Sequence, residues 1–274
     1  MILKTIKSIV FFTLIISFVS CSEYQKMLNN PDTNLKYKAA EVYYKEGEYK
    51  KANRIFEQIV PNYRGKPQAQ RIIYFYANSY FQIRDYNLSA YQFESFVKSY
   101  PKSDRAQEAY FMAAKSYYML SPRFSLDQQD TYKAIDKLQI FLDNYPDGEF
   151  SDDANTLISE LQVKLEKKFF EISKKYYTIR DYKASINAFD SFISDFPGTP
   201  FKEEALYYKF LSNYELAINS IFDKKEERLV EAKELGDSLL DYFPESLFLE
   251  DIEKKFKNIE KELTSFDQPT TNTK

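Results

Sequence analysis

There is no histidine and no tryptophan among the 274 residues, only one cysteine, and only five glycines. Without histidine the chain lacks the commonest general base and the usual nitrogen ligand for zinc, copper or non-haem iron. A single cysteine excludes an internal disulfide framework and any thiolate cluster. Gly47, Gly65, Gly148, Gly198 and Gly236 stand far apart, so no loop matches a P-loop or dinucleotide fingerprint. Neither sign of charge dominates: 38 basic residues against 41 acidic ones give −3, without the basic stripe of a nucleic-acid binder. Aromatics are what the chain has in plenty, 24 Tyr and 24 Phe, within a hydrophobic fraction of 44 % that suffices for a core. Few glycines and low β-branched content favour helices over a sandwich or barrel.

The amino terminus reads as an export signal. Lys4 and Lys7 precede an apolar run from Ser8 to Val19, too short to span a bilayer stably. The run ends in Phe18-Val19-Ser20-Cys21, which resembles the bacterial lipobox, with Phe18 in place of the usual Leu. The lipobox implies removal of residues 1–20 and acylation of Cys21, where three chains anchor durably since two already do. The alternative is a chance cysteine at an ordinary signal-peptidase site. Cleavage leaves 36 basic and 41 acidic residues, or −5. Residues 21–34 are polar and read as a tether. Glu23 is the one acid just after Cys21, short of the acidic run that directs some lipoproteins to the surface, so a periplasmic disposition is expected.

The remainder repeats. Aromatic-Pro pairs occur at Tyr100-Pro101, Tyr145-Pro146, Phe196-Pro197 and Phe243-Pro244, after a degenerate Tyr63-Arg64. Eleven positions before each aromatic stands a small residue: Ala52, Ser89, Ala134, Ser185 and Ala232. Four later come Phe56, Phe93, Leu138 and Phe189, with Gly236 as the exception; three further on come Ile59, Phe96, Phe141, Phe192 and Leu239. Those offsets share one helix face. A preceding helix is marked by Ala40, Ala77, Ala114 and Ser173, each followed three later by Tyr43, Tyr80, Tyr117 and Tyr176. The tetrapeptide Ile-Arg-Asp-Tyr recurs at 83–86 and 179–182, and Gly47 suits a left-handed helix cap. This pattern is similar to the tetratricopeptide repeat, with successive terminal aromatics 37, 45, 51 and 47 residues apart. Repeat three carries an insertion around Ser121–Thr131, and repeat four opens on a long helix, about Asp152 to Tyr177, placed to belong to both halves and set their angle. The expected fold is all-α, a right-handed superhelix of about five helix-turn-helix repeats. Repeats one to three fill 35–150, repeats four and five fill 151–263, and 264–274 form a disordered tail.

In such repeats one face of each first helix lines a concave groove. That slot holds Tyr37, Glu41 and Tyr44 in repeat one and Arg71, Tyr74, Asn78 and Phe81 in repeat two. Repeat three adds Glu108, Phe111, Lys115 and Tyr118. Aromatic and polar walls suit extended peptides; the alternative is that these residues are half covered by the next repeat. The paired carboxylates Asp152-Asp153, Glu203-Glu204 and Glu226-Glu227 diverge by about 100° on a helix and cannot jointly flank a scissile bond. The first two pairs sit where helices start and complement their dipoles. Neither a catalytic nor a metal site is expected. The run Lys164–Lys168 reads as a solvated face, and Lys224–Arg228 as a docking loop or a solvated linker between the helices of repeat five.

The lipobox cysteine, five lengthened repeats, and the stretch Leu138–Ala154 leading through the long helix to Tyr176–Tyr182 together resemble the BamD family, lipoproteins of the outer-membrane β-barrel assembly machinery. The resemblance implies an outer-membrane, lipid-anchored, periplasm-facing adaptor with no cofactor beyond the lipid on Cys21. Its implied partners are the Omp85-type barrel insertase, BamA, docked through the carboxy-terminal repeats; unfolded outer-membrane proteins, received by the amino-terminal repeats; and other lipoproteins of the machinery. Another envelope scaffold of this repeat type, associated with cell division, peptidoglycan or nutrient binding, stays open, as does an enzyme.

Overall fold

The computed structural model describes residues 23–266; the signal segment, Cys21 and residues 267–274 lie outside the described residues. After a helical stretch at 23–28, the chain forms α1 (Thr33–Lys45), α2 (Tyr49–Tyr63), α3 (Ala69–Gln82), α4 (Tyr86–Ser99), α5 (Ala106–Leu120) and α6 (Gln129–Asn144). There follow α7 (Ser151–Thr178), α8 (Tyr182–Asp195), α9 (Lys202–Ile218), α10 (Phe222–Tyr242) and α11 (Leu249–Leu263). No strand occurs among the described residues. The all-α repeat expected from the spacing is what forms: α1/α2, α3/α4, α5/α6, α7/α8 and α9/α10 are the five helix pairs, and α11 is a further helix that the repeat pattern does not mark.

Packing makes two compact units, one of residues up to Pro122 with Asp127–Ile158, the other of Arg123–Leu126 with residues from Ser159 on. The long helix α7 contributes to both. In the first unit Phe56, Ile59, Phe93, Phe96, Leu138 and Phe141 are all fully buried, and Ala52, Ser89 and Ala134 beside them let helix backbones approach. Each Phe so buried contributes about 1.5–3 kcal/mol. In the second unit Phe170 of α7 packs against Phe189 and Phe192 of α8 and stacks on Phe201. α11 packs on that unit by burying Ile252 and Ile259 in its core.

The turns are built locally. At Ile-Arg-Asp-Tyr 83–86, Arg84 takes φ +66°, Asp85 N–H donates back to Tyr80 C=O at 2.9 Å, and Asp85 caps α4 by accepting from Leu88 N–H. The second copy repeats every step: Arg180 at φ +64°, Asp181 N–H to Tyr176 C=O at 3.0 Å, and Asp181 accepting from Ala184 N–H. Gly47, at φ +78°, fills the same left-handed place in repeat one.

The second helix of one repeat is pinned to the first helix of the next by a buried polar pair. Asn53 donates to Ser79 at 2.9 Å, Ser116 to Ser89 at 3.0 Å, and Ser212 to Ser185 at 2.8 Å. Ser79, which accepts from Asn53, donates its own proton to Tyr76 C=O, while Ser116 and Ser212 each hold their one proton between the partner serine and a carbonyl of their own helix, Met112 and Tyr208. A satisfied pair of this kind contributes about 0.5–1.5 kcal/mol, and it leaves no buried hydroxyl unmatched.

Four expectations are corrected. Residues 23–34 are not a free tether: Tyr24, Met27 and Leu28 pack on the core of repeat one, and Asp32 caps α1. Phe266, assigned to a disordered tail, stacks on Phe222 at 4.6 Å and packs on the second unit's core. Lys224–Arg228 form no loop, because they are the opening turns of α10, where Lys225 pairs with Glu262 at 2.6 Å. Tyr176 fills no gap beside Ser173: it is exposed, and the next ring, Tyr177, packs inward instead. The insertion does interrupt repeat three, with 121–128 non-helical, and part of it packs in the second unit, where Lys168 donates to Leu126 C=O at 2.6 Å.

Candidate peptide groove in repeats one to three

Three first helices, α1, α3 and α5, bring the candidate residues to one ladder of charges and rings. Tyr37 donates to Glu41 at 2.8 Å, and Glu41 pairs with Arg71 at 2.7 Å across α1 and α3. The Arg71 guanidinium lies 5.3 Å from the Phe75 ring centroid, and Tyr44 stacks on the same ring at 4.6 Å. Arg105, at the start of α5, lies over Tyr74 at 4.4 Å and over Phe75 at 5.8 Å, and reaches Glu108 at 4.0 Å. Between the two arginines opens a cleft of about 560 Å³, lined by Pro67, Gln70, Arg71, Phe75, Ser103, Asp104 and Arg105.

Burial sets the electrostatics of the rings. The Tyr37 hydroxyl is pushed up to about 12 by burial and by its hydrogen bond to Glu41. Burial likewise pushes Tyr44 up to about 12. Tyr74 is raised further, by burial and then by the hydrogen bond its hydroxyl donates to Glu108. These phenols therefore stay neutral, and the formal positive charge in the cleft belongs to Arg71 and Arg105. Arg71 keeps 54 % of its side chain exposed while paired with Glu41, so it can change partners with little desolvation.

Not every candidate is a wall. Tyr74 is 2 % exposed and packs edge-on against Phe93 and Phe96, so it belongs to the core and offers the cleft no free face. Phe111 is buried too, stacked on Phe150 at 5.0 Å, with the Lys115 ammonium over its ring at 5.5 Å. Asn78 accepts from Gln82 at 3.1 Å, and Phe81 packs edge-on against Tyr86, both half-buried farther along α3. Tyr118 is half-buried on α5. Sequence reasoning missed Phe75 and Arg105. Phe75 aligns with Lys38 and Met112 in the flanking repeats, so no periodic signal marks it, and Arg105 precedes the first helical residue of α5.

A second cleft, of about 610 Å³, lies in the other compact unit and is lined by Tyr177, Thr178, Arg180, Tyr182, Glu215 and Asn219. It adjoins the second Ile-Arg-Asp-Tyr turn. Among the described residues no cluster of three or more acidic or cysteine side chains is placed to hold a metal ion, and no helix is long and apolar enough to cross a membrane.

No curated protein matches the chain. Among solved structures, the TPR2AB domain of yeast Sti1 in its pHSP90 complex is 11 % identical, with 83 % of this chain and 98 % of that one covered at a TM-score of 0.37. Kinesin-light-chain-like TPR repeats from Podospora anserina are 13 % identical, with 74 % and 91 % covered at a TM-score of 0.32. The family model YfiO, described as outer membrane lipoprotein, matches residues 29–229 and 166–273. With nearly all of the repeat body inside that match, the chain belongs to the YfiO family of outer membrane lipoproteins.

Proposed function

We propose that this protein is a non-catalytic adaptor of outer-membrane protein assembly, held by acyl chains on Cys21 and facing the periplasm. It docks on the Omp85-type insertase, BamA, and passes it unfolded β-barrel proteins bound in the groove of repeats one to three. Membership of a family of outer membrane lipoproteins supports the setting. The observation that carries the binding step is the pair Arg71 and Arg105 on either side of Phe75.

The chemistry follows from that pair. Barrel proteins often end in an aromatic residue with a free carboxylate. A guanidinium offers such a carboxylate a flat, bidentate set of donors, and Phe75 with Tyr44 offers the ring a stacking surface worth about 0.5–1.5 kcal/mol beyond its buried area. Glu41 and Glu108 hold the arginines in place meanwhile. A carboxylate exchanging for either glutamate replaces one ion pair by another, so capture and release are both easy, as a carrier requires.

The test is photocrosslinking of a barrel carboxy-terminal peptide to the purified protein. Arg71→Ala with Arg105→Ala should reduce the crosslink at least tenfold, about 1.4 kcal/mol, and amidating the peptide's terminal carboxylate should do the same. Unchanged crosslinking in both would sink the groove assignment. Affinity purification from solubilised outer membranes tests the setting: recovery of the Omp85 barrel supports it, and recovery of muropeptide enzymes alone favours a peptidoglycan-associated scaffold.

A further inference from the structure

The anchor has almost no slack. Residues 23–28 are helical and lie on repeat one through Tyr24, Met27 and Leu28, with the Tyr24 ring edge-on to Tyr43 at 5.6 Å. Cys21 is two residues before Glu23, and two residues of extended chain span at most about 7 Å. Tyr43 belongs to the last turns of α1, so the chain leaves the folded body beside the carboxy-terminal end of that helix. An acyl chain on Cys21 therefore draws α1 itself to the lipid, not a body at the end of a flexible leash.

Around α1, Tyr37, Glu41 and Tyr44 face the groove, and Ala39 and Tyr43 pack towards the core and the 23–28 segment. What remains is a stripe at offsets of three, four and three: Leu35, Lys38, Val42 and Lys45. Leu35 is 45 % and Val42 52 % exposed, and both lysines are exposed. Within α1 the one acid is Glu41, already paired with Arg71 on the groove side, and the capping residue Glu46 is exposed where the stripe ends beside Lys45. Apolar residues interleaved with lysines suit the headgroup layer: the side chains of Leu and Val enter the acyl boundary, and the ammonium groups meet lipid phosphates.

We infer that α1 lies along the membrane surface through Leu35, Lys38, Val42 and Lys45, so that the lipid anchor and this stripe together fix the orientation of repeat one and keep the groove open to the aqueous side. The inference rests on Cys21 being the acylated residue. Occupation by a lipid surface, and not by a protein, follows from the length of chain: the acyl attachment point cannot be farther from Glu23 than two residues reach.

The chain has no tryptophan, so a single introduced one reports alone. The acylated full chain carrying Val42→Trp or Leu35→Trp, reconstituted into vesicles of phosphatidylethanolamine and phosphatidylglycerol with brominated acyl chains, should lose fluorescence relative to unbrominated vesicles. Tyr91→Trp, at a residue 64 % exposed on α4 of the same compact unit, should not. Inserting a fifteen-residue Gly-Ser spacer after Ser22 should abolish the quenching at position 42 while the protein still floats with the vesicles. Flotation with no quenching at either 35 or 42 overturns the inference and leaves the anchor standing. Flotation that survives Cys21→Ser, or no flotation at all, overturns the anchor reading and the inference with it. Quenching that persists with the spacer shows that the stripe binds lipid without the short link, and overturns the role given to that link.

Discussion

Gly236 shows how one residue can break a repeat pattern for a reason outside its own helix. Its four counterparts are Phe56, Phe93, Leu138 and Phe189, large side chains that fill the space between paired helices. At 236 that space is already filled from elsewhere: a methyl group there would stand 2.5 Å from the Phe256 ring of α11 and 3.0 Å from Phe210. Phe256 in turn meets Phe210 edge-on at 6.0 Å and carries the Lys233 ammonium over its face at 5.1 Å, so the ring has little freedom to move aside. Gly236→Ala should therefore destabilise the protein. Overpacking costs about 1–3 kcal/mol, against about 1 kcal/mol gained in helix propensity. Gly198, where an added Cβ meets nothing within 4 Å, is the control. Urea midpoints of the two alanine variants decide it: a loss at 236 and no loss at 198 is the expected result. Tyr74 teaches the same lesson from the other side. It occupies a groove slot by spacing, yet α4 and α5 close over it, and it meets the ladder only from within the core, through its hydroxyl to Glu108 and its ring under Arg105.

At the scale of the element, the informative pieces are the turns and the serine pins. The two Ile-Arg-Asp-Tyr turns have identical hydrogen bonding because each residue has a separate local duty: Ile ends the first helix, Arg takes the left-handed position, and Asp caps the second helix. Arginine is a costly choice for the left-handed position, about 1–2 kcal/mol above glycine, of which the greater freedom of glycine in the unfolded chain returns part. Arg84→Gly and Arg180→Gly should each raise stability by about 0.5–1 kcal/mol, read as higher thermal midpoints; unchanged or lowered midpoints would show that the guanidinium groups hold these turns together. The repetition was legible in sequence because a turn depends on neighbours along the chain. The serine pins were not read, although Ser89 to Ser116 and Ser185 to Ser212 are both 27 residues apart, because a buried serine and a surface serine are the same letter until a neighbouring helix covers one of them.

For the whole molecule, the abundance of tyrosine has a consequence in pH. Burial raises Tyr37, Tyr44 and Tyr177 from 10.0 to about 12, the first helped by its bond to Glu41. A phenol whose pKa is higher folded than unfolded retains its proton more tightly in the native state. Its contribution is complete below the unfolded value and is lost as pH rises through the folded one. Lys137, raised chiefly by its hydrogen bond to Glu94, has the same sign. Stability should thus be flat towards neutral pH and fall steeply between about pH 10 and pH 12, measured by urea denaturation followed by circular dichroism. A chain equally stable at both ends of that interval would show that these hydroxyls ionise freely in the folded state.

The sequence by itself determined the all-α class, the five helix pairs, the long helix α7 and the left-handed cap at Gly47, because periodicity, capping and turn chemistry act over a few residues. It also determined the abundance of aromatic side chains in the core, since Phe56, Phe93, Phe141 and Phe189 recur at the spacing of one helix face. Tertiary structure alone decided which rings became core and which line a cleft: Tyr74 and Phe75 are adjacent letters on α3, yet Phe93 and Phe96 cover the first while the second keeps an edge in the cleft. It decided too that residues 23–28 lie on repeat one, that Phe256 replaces a side chain at 236, and that Arg105 reaches Phe75. Each of these depends on which distant segment arrives to share a surface, and spacing within one helix carries no information about that.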